Sequence, residues 1–253
     1  MINLTLVSYA NENMYVSLRK LSESYCIYTA APWNIHTYGY NPISTAPYIE
    51  YGFGEFEEFN KGIFSQKRGA GYWLWKPYLI FKTLINLPDN EILIYSDAGV
   101  EFVNNPQHIV DAMQQDIFLF GNNYKHVEWC KGDCMMAING RILPSDLLQV
   151  QASVIFIRNN ETTRNFVKEW LLWCQMPGFI DDSPSKLPNY PTFAEHRHDQ
   201  AILTCLAYKY GYQLHYWPAQ YNNGAFKYEK LPQYANDNYP IIFHHHRRRN
   251  DQW

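Results

Sequence analysis

Glu91–Tyr95 (EILIY) is an apolar, β-branched run that stops abruptly at Ser96-Asp97-Ala98-Gly99. A strand without polar alternation has to be covered on both faces. The stretch before it, Tyr78–Leu87, carries apolar residues at helical spacing behind Pro77, and proline suits the first turn of a helix. Helix, tight turn at Pro88-Asp89-Asn90 and doubly covered strand together make the unit of a layered α/β sheet. The chain opens the same way. Ile2–Ser8 reads as a strand, Met14–Ser22 as a helix and Cys26–Thr29 as a second short strand, a β-α-β start with a right-handed crossover.

Further on, Pro106–Gln115, Thr162–Cys174 and His198–Tyr208 read as helices. Ile117–Phe120, Gln151–Arg158 and Ile241–Phe243 read as strands. Phe53–Arg68 reads as irregular helix, Ala31–Glu50 as loop, and Asn122–Gly140 as a polar, aromatic surface excursion. Repeats and low-complexity tracts are absent. The Pro-rich stretch Pro177–Pro191 is too short to separate two cores. The expectation is one α/β domain over residues 1–253, a mostly parallel twisted sheet flanked by helices.

With a net charge of −3, nothing in the balance calls for nucleic acid or an anionic membrane, and Arg247–Arg249 is too short a basic run to change that. Five cysteines without paired spacing point to reduced thiols in a cytosolic-type compartment. The first residues, MINLTLVSYANEN, read as a strand, not a secretory leader, and no stretch reaches membrane-span length. The expected location is cytoplasmic, at most peripheral to a membrane. The 21 Tyr and 8 Trp suit sugar binding, since their rings offer an apolar face with a polar handle, but they suit a Tyr-rich core equally.

Ligands of open α/β sheets bind beyond the carboxyl ends of the strands. Ser8-Tyr9-Ala10, Ser96-Asp97-Ala98-Gly99 and His244-His245-His246 lie at strand ends, and His198-Asp199-Gln200 at a helix start. Asp97 can hold a divalent cation or a sugar or ribose hydroxyl, or simply cap a turn. Asp199 can bind a sugar, with Gln200 beside it as donor and acceptor, or be a first-turn carboxylate favoured by the helix dipole. Alternation puts His244 and His246 on one face and His245 on the other, and imidazole can ligate Mn²⁺. The same segment also reads as a solvated basic tail. Lys76 can neutralise a phosphate or lie along its two tryptophan neighbours. Lys131 and Asp133, in WCKGDC, are candidates for acceptor contact or a lid.

EILIYSDAGVEF resembles the strand that ends in the Asp-x-Asp motif of GT-A fold glycosyltransferases, and GYWLWKPYLIFKTL resembles the helix before it. With RHDQ and the terminal His-rich segment, the set is similar to that of poorly characterised bacterial and viral glycosyltransferase-like proteins, over most of the chain. The resemblance implies a GT-A-like, Rossmann-type fold and transfer of a sugar from a nucleotide-diphosphate donor to a carbohydrate or glycan hydroxyl. It implies donor contacts from Ser8, Tyr9, Ala10, Lys76, Asp97, Ala98, Gly99 and Arg247. It also implies a catalytic pair Asp199 and Gln200 acting with retention, and a Mn²⁺ or Mg²⁺ ion held by Asp97, His244 and His246. The pattern departs at position 99, where the second Asp of the motif is Gly99. Two other readings stay open: a non-catalytic sugar- or nucleotide-binding protein, and a metal-dependent hydrolase built on Asp97, His244 and His246.

Overall fold

The computed structural model describes residues 3–39, 49–50, 53–221, 229–235 and 238–253. Its centre is a seven-stranded sheet of β1 (Leu4–Ala10), β2 (Asn34–Gly39), β3 (Ile49–Glu50), β4 (Ile92–Ser96), β6 (Ile117–Lys125), β7 (Leu148–Arg158) and β8 (Leu214–His215), in the order β3-β2-β1-β4-β7-β6-β8. Among the described residues of this sheet, only β7 runs against its neighbours, β4 and β6; the sheet's other pairings are parallel. A small second sheet joins β5 (Val100–Phe102), β10 (Phe243–His245) and β9 (Ala219–Gln220).

The apolar runs explain this arrangement. β4 is buried throughout, and successive residues face different cores. Leu93 and Tyr95 join Leu79, Trp170 and Leu203 on one side; Ile92 and Ile94 join Leu21, Phe102 and Phe243 on the other. Helices α5 (Trp75–Leu84), α8 (Glu161–Gln175) and α9 (His198–Tyr210) cover the first side, and α1 (Tyr15–Tyr28) packs on the second. The short helices α2 (Glu55–Phe59), α3 (Lys61–Phe64) and α4 (Gly69–Tyr72) precede α5, and α6 (Gln107–Ala112) follows β5. The start of α8 is fixed by a reciprocal cap: the Thr163 amide donates to Asn160 Oδ1 at 2.9 Å, and the Asn160 amide to Thr163 Oγ1 at 3.1 Å. This is the expected α/β architecture, a mostly parallel sheet flanked by helices.

Three local expectations are corrected. Cys26–Thr29 is not a strand, because α1 continues through Tyr28. Tyr25, on the buried face with Leu18 and Leu21, donates its hydroxyl to Leu4 O at 2.8 Å, and this packing overrides the β-branched look of Ile27 and Thr29. The stretch read as loop, Ala31–Glu50, instead contains two strands, β2 and β3, and its residues 40–48 lie outside the described residues. Asn122–Gly140 is no surface excursion. β6 runs on to Lys125, and helix α7 (Gly132–Asn139) follows with Cys134, Met135 and Ile138 buried. Gly132 opens α7 where a Cβ would stand 2.5 Å from Pro188 O.

Candidate active site

A cleft of about 600 Å³ opens beyond the carboxyl ends of β1 and β4, across the amino-terminal half of β7 and the start of α9. Tyr9, Ala10, Lys76, Asp97, Ala98, Gly99, Asp199, Gln200 and Arg247 all line it. Residues far apart in sequence are thus gathered as the strand-end argument expects.

Its floor is a charge triad, two members buried and the third, Asp97, half-buried. Lys76, in the first turn of α5, places Nζ 3.0 Å from Asp199 Oδ2 and 3.4 Å from Asp97 Oδ1, and donates to Ala152 O at 3.1 Å. The Lys76 side chain is 3% exposed, that of Asp199 4% and that of Asp97 29%. Tyr95 donates its hydroxyl to Asp97 Oδ1 at 2.5 Å. Burial by itself favours neutral lysine, yet the carboxylates of Asp199 and Asp97 outweigh it and hold the ammonium pKa above its usual value. One ammonium cannot fully offset two carboxylates. Burial pushes Asp199 up to about 6, against the pull of Lys76 and with the push of Asp97.

Gln200 is spoken for at both ends. Its Nε2 donates to Gln149 Oε1 at 2.7 Å, and its Oε1 accepts from the Ala152 amide at 3.3 Å, so it braces α9 against β7 at the cleft edge. Tyr9 stands against Trp75 with ring centroids 4.2 Å apart, forming an aromatic wall. Ser8 does not line the cleft: it is fully buried, and its hydroxyl donates to Ser96 O at 2.6 Å, tying β1 to β4.

The rim is cationic. Lys67, Arg68, Arg197, Arg247 and Arg249 line the cleft with Lys76, against the two acids Asp97 and Asp199, in a chain whose net charge is −3. Arg68 is held by Glu195 at 3.1 Å, and Arg197 by Glu195 at 2.8 Å with its guanidinium 4.5 Å over Trp129. Among the described residues, Arg247 and Arg249 have no acidic partner. Reading the sequence missed Lys67, Arg68, Arg197 and Trp73, and favoured His244 and His246 over their neighbour His245. The run Arg68-Gly69-Ala70-Gly71 was the available signal, since it sits where the backbone takes an unusual path. Gly69, Ala70, Gly71, Tyr72 and Trp73 all have positive φ, between 49° and 94°. Each non-glycine residue there costs about 1–2 kcal/mol. The turn is held by the Trp75 indole donating to Gly69 O at 3.0 Å and by Tyr72 stacked on His198 at 4.8 Å. His198 is itself left-handed, with φ 51°. Strained backbone on both sides of one cleft is a mark of functional positioning.

The expected metal-ligand set does not assemble. Alternation holds along β10, but the other face meets the cleft: pairing His245 with Val100 and His244 with Glu101 leaves His245, not His244 or His246, at the lining. His246 is buried, with Nε2 3.7 Å from Glu101 Oε1 and its ring against Trp253. Burial, His244 and Arg248 lower its pKa to about 4. Gly99 leaves no room for a second carboxylate, as a Cβ there would lie 2.9 Å from Arg247 Cα. Among the described residues, His, Cys, Asp and Glu groups that gather in threes within reach of one ion are His126, Cys130 and Cys205, and Cys130, Cys134 and His196. All are buried and none lines the cleft. The cleft residues therefore do not fit a protein-held divalent cation.

Lys131 and Asp133 stand off the cleft and hold the Pro-rich stretch. Lys131 Nζ donates to Gly178 O at 2.7 Å and sits 3.3 Å from Asp181 Oδ1. Asp133 accepts the Lys186 and Leu187 amides, each at 2.8 Å. Neither lines the cleft.

No protein-family model matches the chain, and no curated protein matches it in sequence. Its fold does match solved structures. The chain is similar to mouse xyloside xylosyltransferase 1, with 11% identity, 100% of each chain covered and a TM-score of 0.53. It is similar to the galactosyltransferase LgtC, solved with donor and acceptor sugar analogues, with 15% identity over 96% of this chain and 87% of that one and a TM-score of 0.58. It is also similar to the bifunctional glycosyltransferase WbbM, with 12% identity, 96% of this chain and 45% of that one covered and a TM-score of 0.56. At these identities the likeness is one of fold, and the fold is one found in glycosyltransferases.

Proposed function

We propose that this chain is a glycosyltransferase that moves a sugar from a nucleoside-diphosphate donor to a hydroxyl of a glycan or polysaccharide acceptor. The observation that carries the reading is the Lys76–Asp97–Asp199 triad on the floor of a cationic cleft at the strand ends of a fold found in glycosyltransferases. In this reading residues 1–253 form one domain working in a reducing, cytoplasmic compartment. All five cysteines are free, and no described helix is long and apolar enough to cross a membrane.

The base and ribose lie against Tyr9 and Ala10, and the diphosphate faces the rim arginines. Asp97 takes a ribose or sugar hydroxyl. Asp199, kept ionised by Lys76, accepts hydrogen bonds from the sugar. The bond from the anomeric carbon to the diphosphate oxygen breaks, the acceptor oxygen bonds that carbon, and the acceptor's proton leaves with the released diphosphate or to solvent. The protein supplies positioning and charge for the departing diphosphate. Retention at the anomeric carbon follows the Asp-Gln resemblance. Here Gln200 acts by bracing Ala152 and Gln149 beside the sugar.

Incubation with a panel of nucleotide sugars, with chromatography for released nucleoside diphosphate, tests the reading. Slow donor hydrolysis is expected with one or a few donors. NMR of the transferred sugar reads its anomeric configuration. Failure to turn over any donor, with no nucleoside diphosphate binding at millimolar concentration, removes the proposal.

A further inference from the structure

Resting on the nucleotide-sugar reading above, we infer that the donor's diphosphate is bound directly by guanidinium groups, Arg247 foremost and Arg249 with it, without a divalent cation bridging it to the protein. The first ground is that the cleft carboxylates already face a cation of the protein's own. A metal at Asp97 would approach a carboxylate whose Oδ1 accepts the Tyr95 hydroxyl at 2.5 Å and lies 3.4 Å from the Lys76 ammonium. The other cleft carboxylate, Asp199, faces the same ammonium at 3.0 Å and is almost fully buried. Lys76 stands between the two acids as a fixed positive charge, and an incoming dication would meet it at close range.

The second ground is an exchange of charge at one spot. Gly99 O accepts the backbone amides of both His246 and Arg247 at 3.0 Å, which presses the C-terminal segment against position 99. The space a second carboxylate needs is filled by the backbone of Arg247, and the side chain of Arg247 lines the same cleft. A negative group that would hold a metal is replaced by a positive group that can hold phosphate itself.

The third ground is orientation. Arg247 Nε donates to His245 Nε2 at 3.0 Å, and His245 Nδ1 is engaged with the Tyr221 hydroxyl at 3.1 Å. The imidazole is thereby committed to aiming the arginine. Bonding through Nε leaves the terminal nitrogens of the guanidinium for the paired contacts that phosphate oxygens favour.

Calorimetry of UDP, GDP, ADP and CDP, each with excess EDTA and with excess MnCl₂, tests this. The expected result is binding of at least one of them in EDTA, with affinity changed less than about twofold by Mn²⁺. Arg247→Ala should weaken that binding about tenfold or more, with Arg247→Lys intermediate, since lysine keeps charge but not the fork. Circular dichroism of the variants checks folding. If Arg247→Ala unfolds, Arg249→Ala is the second variant and should weaken binding at least about threefold. Manganese electron paramagnetic resonance gives an independent reading: protein plus nucleotide should remove no more free Mn²⁺ signal than nucleotide alone. Binding that vanishes in EDTA and returns with Mn²⁺ overturns the inference while the nucleotide-sugar reading stands. No binding of any of the four in either condition overturns both.

Discussion

The floor and the rim of the cleft are both charged, and they follow opposite physics. On the floor, Lys76, Asp97 and Asp199 are packed within 3.0–3.4 Å, two of them almost without exposure. On the rim, Arg247 and Arg249 are exposed, and Arg68 and Arg197 are held by shared surface contacts to Glu195. Charges removed from water are kept only by their partners, so breaking one leaves the others stranded. Exposed charges are screened by salt and contribute little to folding. The floor is therefore built into stability, and the rim is where the proposed ligand capture would act.

The largest expected effect is at the floor. Lys76→Met should cost about 3–5 kcal/mol of stability, because it strands the buried Asp199 carboxylate and leaves the half-buried Asp97 without its cation. Urea denaturation measures it. Mn²⁺ should raise the melting temperature of this variant, where the place between the acids is vacated, and leave the parent protein unchanged. A cost below about 1 kcal/mol would erase the distinction between floor and rim.

Next comes Asp199→Asn, which should lower turnover about tenfold or more, or roughly 1.4 kcal/mol of transition-state stabilisation, while nucleoside diphosphate binds nearly as before. The same substitution has a pH signature. Asp199 sits at about 6 in the folded protein against an ordinary 3.8, so the folded state holds its proton more tightly than the unfolded chain. Its stabilising contribution is full below 3.8 and is lost as pH rises through about 6, then stays constant. The difference in unfolding free energy between the parent and Asp199→Asn should fall across that window and be flat above it. A difference independent of pH would mean that burial does not perturb this group.

On the rim, Arg247→Ala should leave the melting temperature within about a degree of the parent and act on nucleotide binding alone, since the side chain is exposed. The deficit should shrink as NaCl rises, because screening weakens the lost attraction in the parent too. Smallest for the cleft is Asp133→Ala. It removes the acceptor for two loop amides and should cost about 1 kcal/mol of stability with no change in nucleotide affinity. A change in acceptor kinetics without one in stability would return Asp133 to the site.

The strands of the floor were readable because burial on both faces leaves a continuous apolar run, as in Glu91–Tyr95. Lys76, Asp97 and Asp199 could each be singled out by their place at an element's end. That they meet could not be read, since ion pairing across residues 76, 97 and 199 is a property of how α5, β4 and α9 pack. The histidines show the same limit from another side. Alternation separates His245 from His244 and His246, but only the pairing of β10 with β5 decides which face meets the cleft. Arg68 and Arg197 belong to turns whose course is set by Tyr72 stacking on His198, a contact no local pattern announces. In WCKGDC the polar residues Lys131 and Asp133 drew the eye, whereas the buried Cys134, Met135 and Ile138 set the helix.

The close approach of Gly99 to Arg247 also constrains descent. A Cβ at position 99 would stand 2.9 Å from the Arg247 backbone, which, unlike the tip of a flexible side chain, cannot swing aside. A single substitution of Gly99 by Asp therefore damages the C-terminal segment before it can offer a new ligand, and moving that segment first forfeits the guanidinium. Neither order of change passes through an intermediate holding both charges in place. On the proposed reading, a carboxylate at position 99 and the guanidinium of Arg247 thus exclude each other at one backbone contact, and exchanging one for the other takes a coordinated double change.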